Sequence, residues 1–342
     1  MSFKLLTRDE FREGVFARDG FKCVFCGKEA ADAHHIIERR LWSDGGYYLE
    51  NGASVCEEHH IQCEKTLISV EDVRYAAGIT KVCVPDTMYE DQLYDKWGNP
   101  VLDDGRRSKG PLFHDISVQK ILSEGGVLDK FINRVKACKT MHLPWSPGIH
   151  SDDRVIRDLS GFLGEEVVVT VKMDGENTMM YRDYIHARSL DGRNHPSRSW
   201  VKQFHAQICG DIPDGWRLNG ENVYAQHSIA YDSLETYFFG FGMWDEKNER
   251  LHWDDMLMWF QLLGVTPARE LYRGPWDEKA IRDLEKKLDF NKDEGYVVTT
   301  VNGFAFGEYH KKVAKYVRKG HVQTNKHHWM TQQVIPNQLK KK

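Results

Sequence analysis

The sequence predicts an α+β fold whose sheet is mainly antiparallel, preceded by a small unit stapled by metal. Three observations carry the prediction. Short β-branched runs broken by Gly and Asp recur through the second half, with clear cases at 166–172, 236–243 and 296–301. Helical periodicity intervenes at 200–208, 254–263 and 277–288, so strands and helices are not in strict βαβ alternation. Cys and His are concentrated in the first 75 or so positions.

At 342 residues, 41% hydrophobic and 12% aromatic, the chain is long enough for two or three domains with buried cores. A net charge of -4 excludes an overall basic character, so any contact with nucleic acid must use local patches. No apolar stretch approaches the ~20 residues that span a bilayer, and the first ten positions alternate charged with apolar residues. A cytoplasmic protein with no membrane partner is expected. Seven cysteines without a secretion signal then read as metal ligands and ordinary thiols rather than disulfides.

In chain order, residues 1–75 form the metal-stapled unit, with turns at Asp19-Gly20, Gly27 and Asp44-Gly45-Gly46. Residues 76–135 form a polar connector with a helical pattern over Ile116, Ile121, Leu122, Leu128, Phe131, Ile132 and Val135. Residues 136–342 form the sheet-rich body, and its Lys340-Lys341-Lys342 tail is expected to fray.

Cys23 and Cys26, then Cys56 and His59, are two pairs with two residues between, the spacing that lets each pair close on one tetrahedral zinc; His60 is the alternative to His59. Between them lie His34-His35 and Asn51. This layout resembles the HNH, or ββα-metal, nucleases. The resemblance implies that His34 and His60 bind a second metal, that His35 is the general base activating water, and that Asn51 orients His35. A histidine titrating near neutrality can take a proton from water while a divalent ion stabilises the phosphate. The alternative is a zinc-stapled nucleic-acid-docking module with an inactive site.

In the body, Val167-Val-Val-Thr-Val-Lys172-Met-Asp174-Gly175-Glu176-Asn177 puts a lysine at the end of a β-branched run, before a turn. A lysine that attacks phosphorus must shed its proton, and partial burial with neighbouring cations lowers its pKa in that direction. Arg188, then Asn219-Gly220-Glu221, Tyr237-Phe-Phe239-Gly-Phe241, Glu294-Gly295-Tyr-Val-Val298 and Lys311-Lys312-Val-Ala-Lys315-Tyr-Val-Arg318 follow. Strict alternation would put Phe239 and Phe241 on one face.

The order and spacing of these segments, with the entry segment His142-Leu-Pro-Trp-Ser-Pro-Gly148, resemble the ATP-dependent RNA ligase family of covalent nucleotidyltransferases over about residues 136–325. The resemblance implies an antiparallel-sheet nucleotidyltransferase (ATP-grasp-like ligase) domain, ATP and magnesium or manganese as cofactors, and RNA ends as partners. Lys172 becomes the site of a lysyl-AMP. Arg188 contacts ribose or phosphate, Glu221 the ribose or metal, Phe241 stacks on adenine with Phe239 as fallback, and Glu294 partners the metal. Lys315 with Lys312 or Arg318 grips the α-phosphate. Asn177, where DNA ligases usually carry Arg, and the short stretch after Arg318 favour the RNA branch. The alternatives are a DNA ligase acting on nicks, and a zinc nuclease or binding protein whose ligase-like half senses nucleotide.

Overall fold

The computed structural model describes residues 3–149, 153–188, 190, 192, 194–320 and 334–341. Ser189 and Asp191 of the Arg188 segment, residues 321–325 of the ligase-like stretch and Lys342 lie outside the described residues. The chain divides into two compact units, Met1–Lys139 and Thr140–Lys342.

In the first unit, helix α1 (Arg8–Arg18) starts on a capping box in which Thr7 Oγ accepts from the Glu10 amide and the Glu10 carboxylate accepts from the Thr7 amide. It buries Phe11 and Val15 over an antiparallel pair, β1 (Asp32–His35) and β2 (Gly52–Val55), joined with His35 opposite Gly52. A Cβ at Gly52 would lie 2.5 Å from Val15 Cγ2, so a bare backbone is what lets the helix approach the strands. Helix α2 (Glu57–Glu64) follows β2 directly, and α3 (Val70–Ala76) starts on Ser69.

Residues 76–139 lie within the same unit: Val84, Met88 and Tyr94 share a core with Ile36, Ile37 and Val70. Buried Asp95 accepts from the Trp97 and Asn99 amides, from Asn99 Nδ2 and from Arg107. The helical pattern expected through Val135 ends early. Helix α4 (Ile116–Glu124) stops at Gly125 and Gly126, the latter at φ 64°, and Phe131–Ile132 is extended, paired in parallel with Arg107–Ser108.

Among the described residues the second unit holds two sheets. In the first, β3 (Glu166–Lys172) lies between β8 (Glu270–Pro275) and β9 (Gly295–Thr300), and β9 is followed by β10 (Val313–Val317); these pairs are antiparallel. In the second, β4 (Glu176–Met180) pairs with β5 (Ile185–Ala187) and with β6 (Arg217–Asn222), which pairs with β7 (Phe238–Trp244), all antiparallel. This is the expected α+β class with antiparallel-rich sheets.

Strand β3 is buried on both faces, as its unbroken apolar run requires. Val168 joins a core with Met180, Leu218, Phe238 and Met243 of the second sheet, α5 (Ser199–Ile208) and α6 (Trp253–Leu263). Val167 and Val169, on the other face, join Tyr296, Val298, Tyr316 and Ile281 of α7 (Glu278–Asp283). The helix expected over 277–288 is α-helical only to Asp283 and continues as a 3-10 turn, Leu284–Lys287. Just before the tail, Pro336 and Leu339 bridge to Ala225 and Leu234, and of the tail itself the Lys340 amide donates to the Leu234 carbonyl. Among the described residues no helix is long and apolar enough to cross a membrane.

Candidate functional site

In the first unit two ligand clusters form around β1, β2 and α2. Cys23, Cys26, Cys56 and His59 bring their ligating atoms within 4.8 Å of one another. Cys26 Sγ lies 3.8 Å from Cys56 Sγ, and His59 Nδ1 lies 3.1 Å and 3.6 Å from the sulfurs of Cys56 and Cys23. Two sulfurs each ~2.3 Å from a tetrahedral ion sit about 3.8 Å apart, so this donor set fits zinc. His59, not His60, completes it.

His60 faces the other way on α2, and with His34 it meets Glu64, one turn further along. Glu64 Oε1 is 3.2 Å from His60 Nε2 and 3.5 Å from His34 Nδ1, a buried nitrogen with no hydrogen-bond partner. A buried orphaned nitrogen beside an imidazole and a carboxylate fits a divalent transition metal. Opposing this, the Lys96 ammonium lies 3.0 Å from the same carboxylate oxygen. Glu64 and Lys96 escaped the sequence reading. An i, i+4 spacing from His60 signals Glu64; nothing local signals Lys96.

His35 stacks on Phe11, with centroids 4.5 Å apart, and stands edge-on to Tyr47. Burial, then the Lys96 charge, lowers its pKa to about 4, and burial lowers that of His34 well below the ordinary range. Asn51 acts on the backbone beside His35, its carbonyl accepting from the Ile36 amide at 2.9 Å. Its side chain accepts from the Ile37 amide and donates to the Ile37 and Gly46 carbonyls, fixing the chain two residues beyond His35.

In the second unit, strand register assembles the cluster. Lys172 pairs with Gly295, and Gly295 with Val317, so the residue just before Gly295 lies beside the lysine. Lys172 Nζ donates to the Glu294 carboxylate. Lys315 pairs with Val297, itself opposite Thr170, which puts Lys315 on the face of Lys172, two positions along. The Arg318 amide donates to the Glu294 carbonyl, so Arg318 also belongs to this end of the sheet.

Glu221 comes from the second sheet, opposite Asn177 and Phe239. Burial pushes its pKa up to about 8, against the pull of Lys172. The Lys172 pKa is raised. Burial lowers it, but Glu294 and Glu221 outweigh that. The expected lowering is therefore absent from the unliganded protein, because carboxylates, not cations, are the nearest charges.

The remaining predicted residues divide. Arg188 follows β5, exposed, its amide donating to the Asn177 carbonyl across from Glu221. Lys312 is not brought to the cluster: it bonds Glu165 at 2.8 Å, at the far end of β3 and some ~20 Å of strand from Lys172. Phe239 packs on Val223, Ile229, Tyr231 and Leu234. The register runs from Gly240 opposite Gly220 to Gly242 opposite Asn219, skipping Phe241. This bulge overrides the alternation expected of the two rings. Glu176 is held by the buried Arg198, whose Nε lies 2.8 Å from its carboxylate, a pair the sequence did not signal.

Residues 165–317 match the RNA ligase family model. No curated protein matches the chain. Among solved structures, a mutant of the Naegleria gruberi RNA ligase with ATP and Mn is similar at 17% identity over 54% of this chain and 56% of that one, TM-score 0.37. An archaeal ATP-dependent RNA ligase is similar at 16% over 52% and 48%, TM-score 0.37. An Aquifex aeolicus protein described as an ATP-dependent DNA ligase is similar at 20% over 47% and 46%, TM-score 0.34. The chain spans about half the length of these structures. The matched stretch, residues 165–317, contains Lys172, Glu221, Glu294 and Lys315.

Proposed function

We propose that the chain is an ATP-dependent RNA ligase that seals 5′-phosphate and 3′-hydroxyl ends through an adenylate on Lys172. The observation that carries this is one amine at a strand end, ringed by Glu294 and Glu221 and flanked on its own face by Lys315, inside the segment that matches the family.

The Lys172 amine attacks the α-phosphorus of ATP; an N–P bond forms and pyrophosphate leaves with the electrons of the broken P–O bond. The AMP then passes to a 5′-phosphate, and a 3′-hydroxyl displaces it. Lys315 neutralises charge on the phosphates, Phe241 offers a stacking face for adenine, and Arg188 reaches ribose or phosphate. The oxygen donors of Glu294 and Glu221 suit magnesium or manganese and would hold such an ion, which would supply charge neutralisation at the transferring phosphoryl group. With an ion held there, Glu294 and Glu221 would hold the Lys172 ammonium less tightly, so that its proton could pass to solvent ahead of attack.

Incubation with α-labelled ATP and magnesium should label the wild type at Lys172 and leave Lys172→Ala unlabelled. Label on another side chain, or none, overturns the reading. Competition between 5′-phosphorylated RNA and nicked DNA decides the substrate, with RNA expected.

In the first unit the donor set of Cys23, Cys26, Cys56 and His59 supports a structural zinc. His34, His60 and Glu64 support a second divalent site beside His35, the arrangement of an HNH nuclease. His35→Ala should then abolish metal-dependent strand cutting. A wild type that cuts neither RNA nor DNA makes the unit a docking module instead.

A further inference from the structure

The turn after Lys172 is held by a single loop, and that loop is held by a segment far away in the chain. Asp174 Oδ2 accepts from the Ser228 amide at 2.7 Å, the Ser228 hydroxyl at 2.7 Å and the Ile229 amide at 2.8 Å, while the Asp174 amide donates to Tyr231 Oη at 2.9 Å. Met173 packs on Val223, Ile229, Tyr231 and Leu234 of the same loop. The loop, residues 223–237, carries no strand or helix of its own among the described residues, so its backbone groups need partners from elsewhere.

Residues 334–341 supply them. The Gln226 amide donates to Ile335 O, Asn337 N–H donates to Tyr224 O, Gln338 N–H donates to Tyr231 O, the Leu234 amide donates to Gln338 O, and Lys340 N–H donates to Leu234 O. Asn337 is the centre of the arrangement and is 2% exposed. Its Oδ1 accepts from the Tyr231 amide at 2.8 Å, its Nδ2 donates to Val223 O at 2.7 Å and Ala225 O at 3.3 Å, and its carbonyl accepts from Tyr237 Oη at 2.9 Å. One side chain therefore ties both arms of the loop, and Tyr231 is tied at its amide by Asn337 and at its hydroxyl to the turn that follows Lys172.

We propose that Asn337 is a positioning residue for the Lys172 site: the 334–341 segment is a strap that rigidifies the 223–237 loop, and the loop in turn fixes the Asp174 turn. The strap touches the reaction only through the loop. Its effect on adenylation rests on the reading of Lys172 as nucleophile, whereas the mechanical link from Asn337 to Asp174 does not.

Two measurements on the full-length protein separate these. Amide exchange without nucleotide tests the link. Asn337→Ala should speed exchange at Ser228, Ile229 and Asp174 by on the order of 10-fold or more, with α5 and β3 unchanged. Unchanged exchange at those three amides overturns the proposal. Labelling with α-labelled ATP tests the consequence: Asn337→Ala should slow Lys172 labelling about 10-fold, and combination with Tyr231→Phe should slow it little further, because both act on the same turn. Multiplying effects, or a rate equal to wild type, overturn it. A wild type that takes no label defeats the ligase reading and leaves exchange to decide the strap. Should Asn337→Ala fail to fold, Lys340→Pro removes one amide of the strap without touching the buried side chain, and the same exchange pattern is expected in milder form.

Discussion

The Cys/His cluster and the lysine cluster are built by opposite means. Cys23 and Cys26, and again Cys56 and His59, lie within one turn of chain, so each pair is nearly complete before the unit folds. Lys172, Glu221 and Lys315 come from three strands and Glu294 from the residue just before a fourth, and they meet only when two sheets have found their register. The first arrangement has donors that suit an ion to join its two pairs; the second depends on backbone pairing, and a slip of one residue would turn Lys172 to the wrong face.

That contrast is exposed first by chelation. Removing zinc, or making Cys56→Ser, should melt the 1–139 unit, since structural zinc in small modules contributes on the order of 10 kcal/mol. Zinc release followed with circular dichroism checks it, and an unchanged spectrum would erase the distinction. On the register side the counterpart is Gly295→Ala. A Cβ there would stand 1.9 Å from the Tyr316 carbonyl oxygen, so a loss of about 3 kcal/mol or more is expected in denaturant unfolding. Gly210→Ala, with nothing within 4 Å, is the control and should stay within ~0.5 kcal/mol.

Smaller effects sharpen the same comparison. Lys315→Ala should slow labelling of Lys172 about 100-fold, and Lys312→Ala less than about 3-fold, because only the former shares the nucleophile's face. Equal losses would mean that register does not select the phosphate-facing cation. The smallest effect concerns Glu221. Its carboxyl, raised to about 8 by burial, binds a proton in the folded state that the unfolded chain gives up near 4.5. The stabilisation is full below pH 4.5 and is lost as pH rises through 8. In EDTA, Glu221→Gln should therefore gain on the wild type across that window, by roughly 1 to 3 kcal/mol at its upper end. A pH-independent difference refutes this.

Features set by neighbours in sequence were readable in advance. Strand β3 ends at Lys172 as its β-branched run indicates, and the Cys and His spacing names four side chains whose ligating atoms converge. What escaped was set across long loops. Lys96 reaches Glu64 from 32 positions on, and Asn337 reaches Tyr231 from 106 positions on. The direction of the Lys172 shift escaped for the same reason, since Glu294 and Glu221 are adjacent only in the folded sheets. Lys312 and Lys315 look equivalent as letters, yet Lys312 lies in the short helix before β10 and Lys315 within that strand.

Phe241 has one more implication. With the residue excised, Gly240 and Gly242 would be neighbours opposite Gly220 and Asn219, an unbroken ladder with Met243 still inward beside Leu218. The ladder on either side is continuous without it, but the Phe241 carbonyl accepts from Nη2 of the buried Arg250 at 3.1 Å. A chain shortened by this one residue should lose what the ring does and also lower its melting temperature, because the buried Arg250 guanidinium loses that acceptor, so the surplus position both mounts the ring and braces the scaffold.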